Sequence, residues 1–167
     1  MVRILGADPG SRIMGFGLIT CDGPPGLAIS AYRVIDAGVI RAKTTAKAMD
    51  RVAAIHLQFH DLLKSLAPDY LFIESAFFGM NAQSALRLGE VRGALISAAA
   101  HFRVPVAELS PTTVKKTITG NGHGDKTSVA NSVRILLNLP DQKLPSDVTD
   151  ALGIALTGAL ELSRTKS

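Results

Sequence analysis

The chain has 167 residues, 47% of them hydrophobic and 19% charged, with 18 Lys and Arg against 14 Asp and Glu and a formal charge of +4. That length and apolar share exclude a largely disordered chain, so we expect a single domain over residues 1–163 and a frayed tail at 164–167. A lone cysteine, Cys21, excludes an internal disulfide framework, and no apolar run is long enough to span a bilayer, which suits a cytoplasmic setting without a membrane partner.

Residues 2–8 and 14–20 are short apolar runs joined by Pro9-Gly10-Ser11-Arg12 and read as a hairpin. Gly15 and Gly17 in the second run predict a bulge or a close backbone approach. After the turn Cys21-Asp22-Gly23-Pro24-Pro25-Gly26, a strand over 27–36 and a short one near 38–41 complete an antiparallel trio. Thr44 or Thr45 is expected to cap a helix with Val52, Ile55, Phe59, Leu62, Leu63 and Leu66 on one face, stopped by Pro68. Residues 69–75 read as a buried strand, 76–80 as an irregular aromatic loop, and 81–102 as a helix rich in small residues. A strand over 104–109 leads to Ser110-Pro111, a good cap and first turn for a short helix through Ile118. A glycine loop at 120–124, a helix over 126–137, a linker at 140–145 and a last helix over 146–162 complete the chain. Strands first, then alternating helix and strand, predict an α/β fold with a mixed sheet.

Charge is spread unevenly. Residues 1–83 carry 8 basic and 7 acidic side chains, and residues 84–167 carry 10 and 7. This suits a polyanionic partner, although an ordinary basic enzyme has the same balance.

Four carboxylates stand out against this background. Asp8 ends the first strand, Glu74 ends the fourth, and Asp147 and Asp150 lie i, i+3 in the first turn of the apolar last helix. Taken singly, each has a local explanation, such as a turn cap or a first-turn acid favoured by the helix dipole. Together they ask for a shared cation, because ionised carboxylates near a core are costly without a positive partner. Oxygen-only ligands favour magnesium, and two ions about 4 Å apart suit in-line phosphodiester hydrolysis. Setting the four aside leaves 18 basic against 10 acidic side chains around that centre. His56 and His60, i, i+4 on the first long helix, resemble a zinc pair but are better read as solvated-face histidines; His123 in the glycine loop could approach a phosphate.

Leu5-Gly6-Ala7-Asp8-Pro9-Gly10-Ser11-Arg12 with Gly15-Phe16-Gly17 resembles the opening of the RuvC family of Holliday-junction resolvases, in the RNase H-like superfamily. The run from Ile73-Glu74-Ser75 through Phe77 to Gly89 resembles the family's second acidic motif. Val114-Lys115-Lys116-Thr117-Ile118 with Gly120, Gly122 and Lys126 resembles its basic segment, and Asp147-Val148-Thr149-Asp150-Ala151-Leu152 its last acidic motif. The resemblance covers nearly the whole chain in order. It implies an RNase H-like fold whose mixed five-stranded sheet, with its first three strands antiparallel, is flanked by helices. It also implies a homodimer that nicks two strands of like polarity, symmetrically, at a four-way DNA junction in recombination and repair. Asp8, Glu74, Asp147 and Asp150 would be the catalytic metal ligands, with two Mg2+ per site and Mn2+ as a substitute. Phe77, Lys115, Lys126 and Arg12 would contact DNA, and a branch-migration motor (RuvAB) would be a partner.

Some of these roles also have a physical argument. Phe77 and Phe78 are adjacent in an irregular loop and cannot easily share one core, so Phe77 is expected to face outward as a base-stacking platform. Lys115, Lys116, Lys126 and Arg134 lie in a segment whose one acid is Asp125, although Lys116 and Arg134 are equally explained as solvated surface. Ala85, Gly89 and Gly93 form a smooth i, i+4 ridge that permits close packing, better assigned to the chain's own sheet than to a second copy. Two alternatives remain at this stage: an actin-like ATPase, for which Asp8-Pro9-Gly10-Ser11 would be a phosphate loop, and a non-catalytic junction-binding module.

Overall fold

The computed structural model describes residues 1–21, 31–75, 81–122, 124–140 and 144–164. Its elements, in chain order, are β1 (Val2–Asp8), β2 (Ile13–Cys21), β3 (Tyr32–Arg41), α1 (Ala48–Leu66), β4 (Tyr70–Glu74), α2 (Ala82–His101), β5 (Val106–Leu109), α3 (Pro111–Thr119), α4 (Lys126–Leu136) and α5 (Ser146–Arg164). The sheet order is β3-β2-β1-β4-β5. β1, β2 and β3 pair antiparallel, and β4 and β5 join parallel to β1 and to each other. This is the mixed five-stranded sheet expected, with its first three strands antiparallel.

Side chains of β1 alternate between two cores, as the strand period of two requires. Leu5 and Ala7 join Phe16, Ile55, Phe59 and Leu95 under α1 and α2. Ile4 faces the other way and joins Phe72, Val114, Val133, Leu152 and Ala155 under α3, α4 and α5. Both faces of the central strands are therefore dry, which explains their near-continuous apolar runs.

α5 lies unusually close to the sheet because glycines remove the side chains between them. A Cβ on Gly6 would overlap the Ala151 carbonyl and the Ala155 nitrogen, and one on Gly15 would overlap the Asp147 carbonyl. The close approach expected at Gly15 is thus to the first turn of α5.

Three local expectations are corrected. The third strand is one strand, Tyr32–Arg41, rather than two, with Ile35 as an extra residue where the register passes from Leu18↔Asp36 to Ile19↔Val34. Gly38 does not break it, because Gly38 pairs with Phe16 and the Phe16 ring occupies the space a Cβ there would approach at 3.0 Å. Residues 27–30 of the expected strand lie outside the described residues. Neither Thr44 nor Thr45 caps α1: the cap is Lys47, without a side-chain hydrogen bond, while Arg51 Nη1 donates to the Ala46 carbonyl at 2.6 Å and keeps the chain turning to that point. α5 runs to Arg164, two residues past its expected end; residues 165–167 of the tail lie outside the described residues. Pro68 does follow the end of α1, where Ala67 turns left-handed at φ 41°. Ser110 caps α3 through the Thr113 N–H at 3.0 Å, with Pro111 in the first turn.

Candidate active site

Parallel pairing of Ala7 with Ile73 brings the next residues of the two strands, Asp8 and Glu74, to the same end of the sheet. Beyond Glu74, the Ser75 N–H donates to the Leu109 carbonyl at 2.8 Å, so backbone pairing fixes Glu74 from both sides. The close seat of α5 on Gly6 and Gly15 carries its first turns over the same edge. Asp8, Glu74 and Asp150 consequently line one cleft of about 240 Å³, with Lys115 from α3, Lys126 from α4 and an apolar wall of Pro111, Val114 and Val129. Acids from three remote stretches meet there. Asp147 does not line this cleft; it sits against Gly15, from where its charge still reaches Asp8 and Asp150.

The electrostatics are those of a crowded, poorly solvated anionic site. Burial pushes Asp8 from its usual 3.8 to about 7, helped by the charges of Glu74, Asp150 and Asp147 and opposed by Lys126. Glu74 is raised by burial and then by Asp150, against the pull of Lys126, Lys115 and Arg92. Asp150 is raised by burial, opposed first by Lys126, whose Nζ stands 3.9 Å from Asp150 Oδ2. Lys126 is largely exposed, so its ammonium only partly offsets three half-buried acids.

A hard divalent cation fits this donor set: the ligands offered are carboxylate oxygens, and the shortfall is positive charge. Among the described residues, no three His, Cys, Asp or Glu side chains form a closed cage as they stand. Asp8, Glu74 and Asp150 instead face an open cleft, a shape that leaves room for substrate oxygens alongside protein ligands.

The remaining expected site residues fall elsewhere. Arg12 is exposed and lines a second cleft beside the first, together with Arg51 and Arg87. Phe77, Phe78 and His123 lie outside the described residues. His56 and His60 are only partly solvated, because α1 packs on α2 along that side. His56 Nδ1 is 3.0 Å from the Ala94 carbonyl, and the His60 ring centre is 4.7 Å from that of Phe102. The ridge of Ala85, Gly89 and Gly93 does not pack on the sheet either. Val91, Arg92 and Leu95 take the inward face of α2, and a Cβ on Gly89 or Gly93 would meet nothing within 4 Å.

One functional neighbour escaped the sequence. Arg92, buried under the cleft, donates to the backbone carbonyl of Glu74 and pairs with the Glu108 carboxylate. Its signal was a basic residue in the same helical stripe as Val91, Leu95 and Ala99, facing an acid on the neighbouring strand.

Among the described residues, no helix is long and apolar enough to cross a membrane. The family model for "Crossover junction endodeoxyribonuclease RuvC" matches residues 4–158. Curated relatives carrying that description include one from Maricaulis maris, 42% identical over 95% of this chain and 90% of its own, and one from Chlorobium phaeovibrioides, 40% identical over 94% and 80%. Among solved structures, Thermus thermophilus RuvC superposes with a TM-score of 0.85 at 32% identity, covering 99% of this chain and 97% of its own. The same protein in complex with Holliday junction substrate superposes with a TM-score of 0.87 at 31% identity. The yeast mitochondrial resolvase Ydc2, at 14% identity and a TM-score of 0.66, shares the fold. With its acids gathered on an RNase H-like sheet and this match over nearly its whole length, the chain belongs to the RuvC family of crossover junction endodeoxyribonucleases.

Proposed function

We propose that this protein resolves four-way DNA junctions by paired, symmetric nicks in strands of like polarity, with Asp8, Glu74, Asp150 and Asp147 holding Mg2+. The observation that carries this reading is the meeting of three half-buried carboxylates from β1, β4 and α5 in one cleft with Lys115 and Lys126. The Holliday junction bound by the Thermus relative supplies the substrate class. Two magnesium ions, or manganese in their stead, would activate a water and neutralise the leaving oxygen.

The chain's own residues do the rest. Asp8 and Glu74, at the ends of adjacent strands, would hold the cations that orient the reacting phosphate. Lys126 and Lys115 put positive charge at the rim, where it attracts the phosphate backbone without reading sequence. The apolar wall of Val114 and Val129 keeps bulk water from the acids and strengthens their field. Phe77 is the candidate for stacking on an unpaired base near the junction centre, worth ~1–3 kcal/mol.

A homodimer fits the substrate's two-fold symmetry and an apolar face that the described residues leave uncovered. On α2, Ala85, Gly89 and Gly93 are exposed beside Leu86 at 62% and Ile96 at 38% exposure; on α1, Met49 and Leu57 are exposed at 53% and 64%. We read residues 1–163 as one nuclease domain working in the cytoplasm, and a branch-migration motor of the RuvAB kind as its partner. The test is incubation with a synthetic mobile four-way junction, a linear duplex of the same sequence and Mg2+. Paired nicks confined to the junction support the reading, and equal cutting of the duplex refutes it.

A further inference from the structure

A second cleft, of about 580 Å³, opens beside the acidic one, and its lining holds three arginines and no acid. It lies between the turn after β1 and the first turns of α1 and α2. Arg12 comes from the turn, Arg51 from α1 and Arg87 from α2, with Gln83 and Ser84 adding neutral donors. Pro9, directly after Asp8, belongs to the same lining, so the two clefts adjoin across one peptide bond.

The arginines differ in how they are held. Arg51 Nε donates to the Ser11 carbonyl at 3.3 Å and Nη1 to the Ala46 carbonyl at 2.6 Å, so its charge is fixed in place. Arg87 Nη1 forks onto the Glu90 carboxylate at 2.9 and 3.1 Å, while Arg12 is exposed. Three guanidinium groups at the wall of a polar cleft suit a singly charged, multi-oxygen anion repeated along a chain. Guanidinium planes bind phosphodiester oxygens in pairs, as they bind carboxylates; the adjoining acidic cleft, with the cations its acids ask for, favours the phosphodiester. The acidic cleft next door repels that same backbone unless cations fill it.

We infer that Arg12, Arg51 and Arg87 form a phosphodiester subsite, separate from the acids, that grips the DNA strand flanking the scissile bond. This rests on the junction-cutting reading above. The acids and their cations then take one phosphate, and the arginine cleft takes a neighbouring one across Pro9. Gripping beside the cut sets the register of the strand over Asp8, so the subsite fixes where the nick falls as well as how tightly DNA binds.

The test uses full-length Glu74→Gln protein, alone and with Arg12→Gln plus Arg87→Gln; Arg51 is kept because it also ties the turn to α1. Junction binding is measured across a salt series, and each phosphate flanking the cut is replaced in turn by an uncharged methylphosphonate. Loss of two phosphate contacts should flatten the slope of log K against log salt by about 2. One or two neutral phosphates next to the cut should weaken binding by the parent several-fold and leave the double variant unaffected. An unchanged slope and an unchanged interference map overturn the subsite. A parent that binds junction no better than linear duplex overturns the functional reading instead.

Discussion

The guanidinium of Arg92 donates to the backbone carbonyl of Glu74 from within the core, while its other arm reaches the Glu108 carboxylate on β5. A candidate catalytic acid at a strand end is thereby held by a helix whose residues do not line the cleft. Replacing Arg92 with Met keeps the bulk and removes the donors, leaving the Glu74 carbonyl without this partner. Such a loss costs ~1–3 kcal/mol, and because Glu108 is half exposed, its lost pairing adds little. Urea unfolding should register that cost. Junction cutting should fall more than junction binding if Glu74 is the metal ligand proposed above and not a DNA contact.

Gly6 tests how the last helix is seated. Gly6→Ala drives a methyl into the Ala151 carbonyl and the Ala155 backbone, which cannot rotate away as a side chain would. Overpacking of this kind costs ~1–3 kcal/mol or more, and it lifts Asp150 away from Asp8. Thermal unfolding and cleavage should both suffer. Equal stability and full activity would mean that α5 does not lie where the structure has it.

Gly93 gives the opposite outcome. Its Cβ position is open, so Gly93→Ala should leave the monomer as stable or add up to ~1 kcal/mol from helix propensity. Gly93→Glu should fold equally well but dissociate the dimer if this face is the two-fold contact. Sedimentation equilibrium reads the difference, and an unchanged dimer would move the interface to another face.

Asp8 predicts an unusual pH dependence. Its folded pKa, about 7, lies above its usual 3.8, so the native state binds the proton more tightly than the unfolded chain. The sign follows: without divalent cation, this contribution is favourable below about 3.8, is lost as pH rises through about 7, and is then constant. Its size is on the order of 4 kcal/mol. At pH 8 without metal, Asp8→Asn should therefore melt above the parent protein. Mg2+ should raise the parent's melting temperature and leave that of Asp8→Asn nearly unchanged. A parent that gains stability between pH 4 and 8 relative to Asp8→Asn would contradict this.

Much of this architecture was legible because its signals are local. Pro68, Ser110-Pro111 and the alternating run of β1 each dictate their own geometry, and the acids stand out in apolar surroundings. What escaped was decided by distant partners. The third strand continues through Gly38 because the Phe16 ring fills the gap, a fact carried by β2. His56 and His60 are partly covered because α2 packs along their side of α1. The α2 ridge turned outward because Arg92, reaching for Glu74 and Glu108, claims the inward face along with Val91 and Leu95. Asp147 and Asp150 share one helical face by spacing, yet the contact of Asp147 with Gly15 on β2 and the place of Asp150 in the cleft come from the packing of α5 on the sheet.

The central claim is that the cleft acids act through bound cations to break DNA. Its most direct test is single-turnover nicking of a mobile four-way junction in Mg2+ by Glu74→Gln, with junction affinity measured on the same preparation. The expected result is retained affinity with nicking reduced by at least about 100-fold, the scale of one lost charge-stabilising contact. Nicking at the parent rate with Glu74→Gln would contradict the claim.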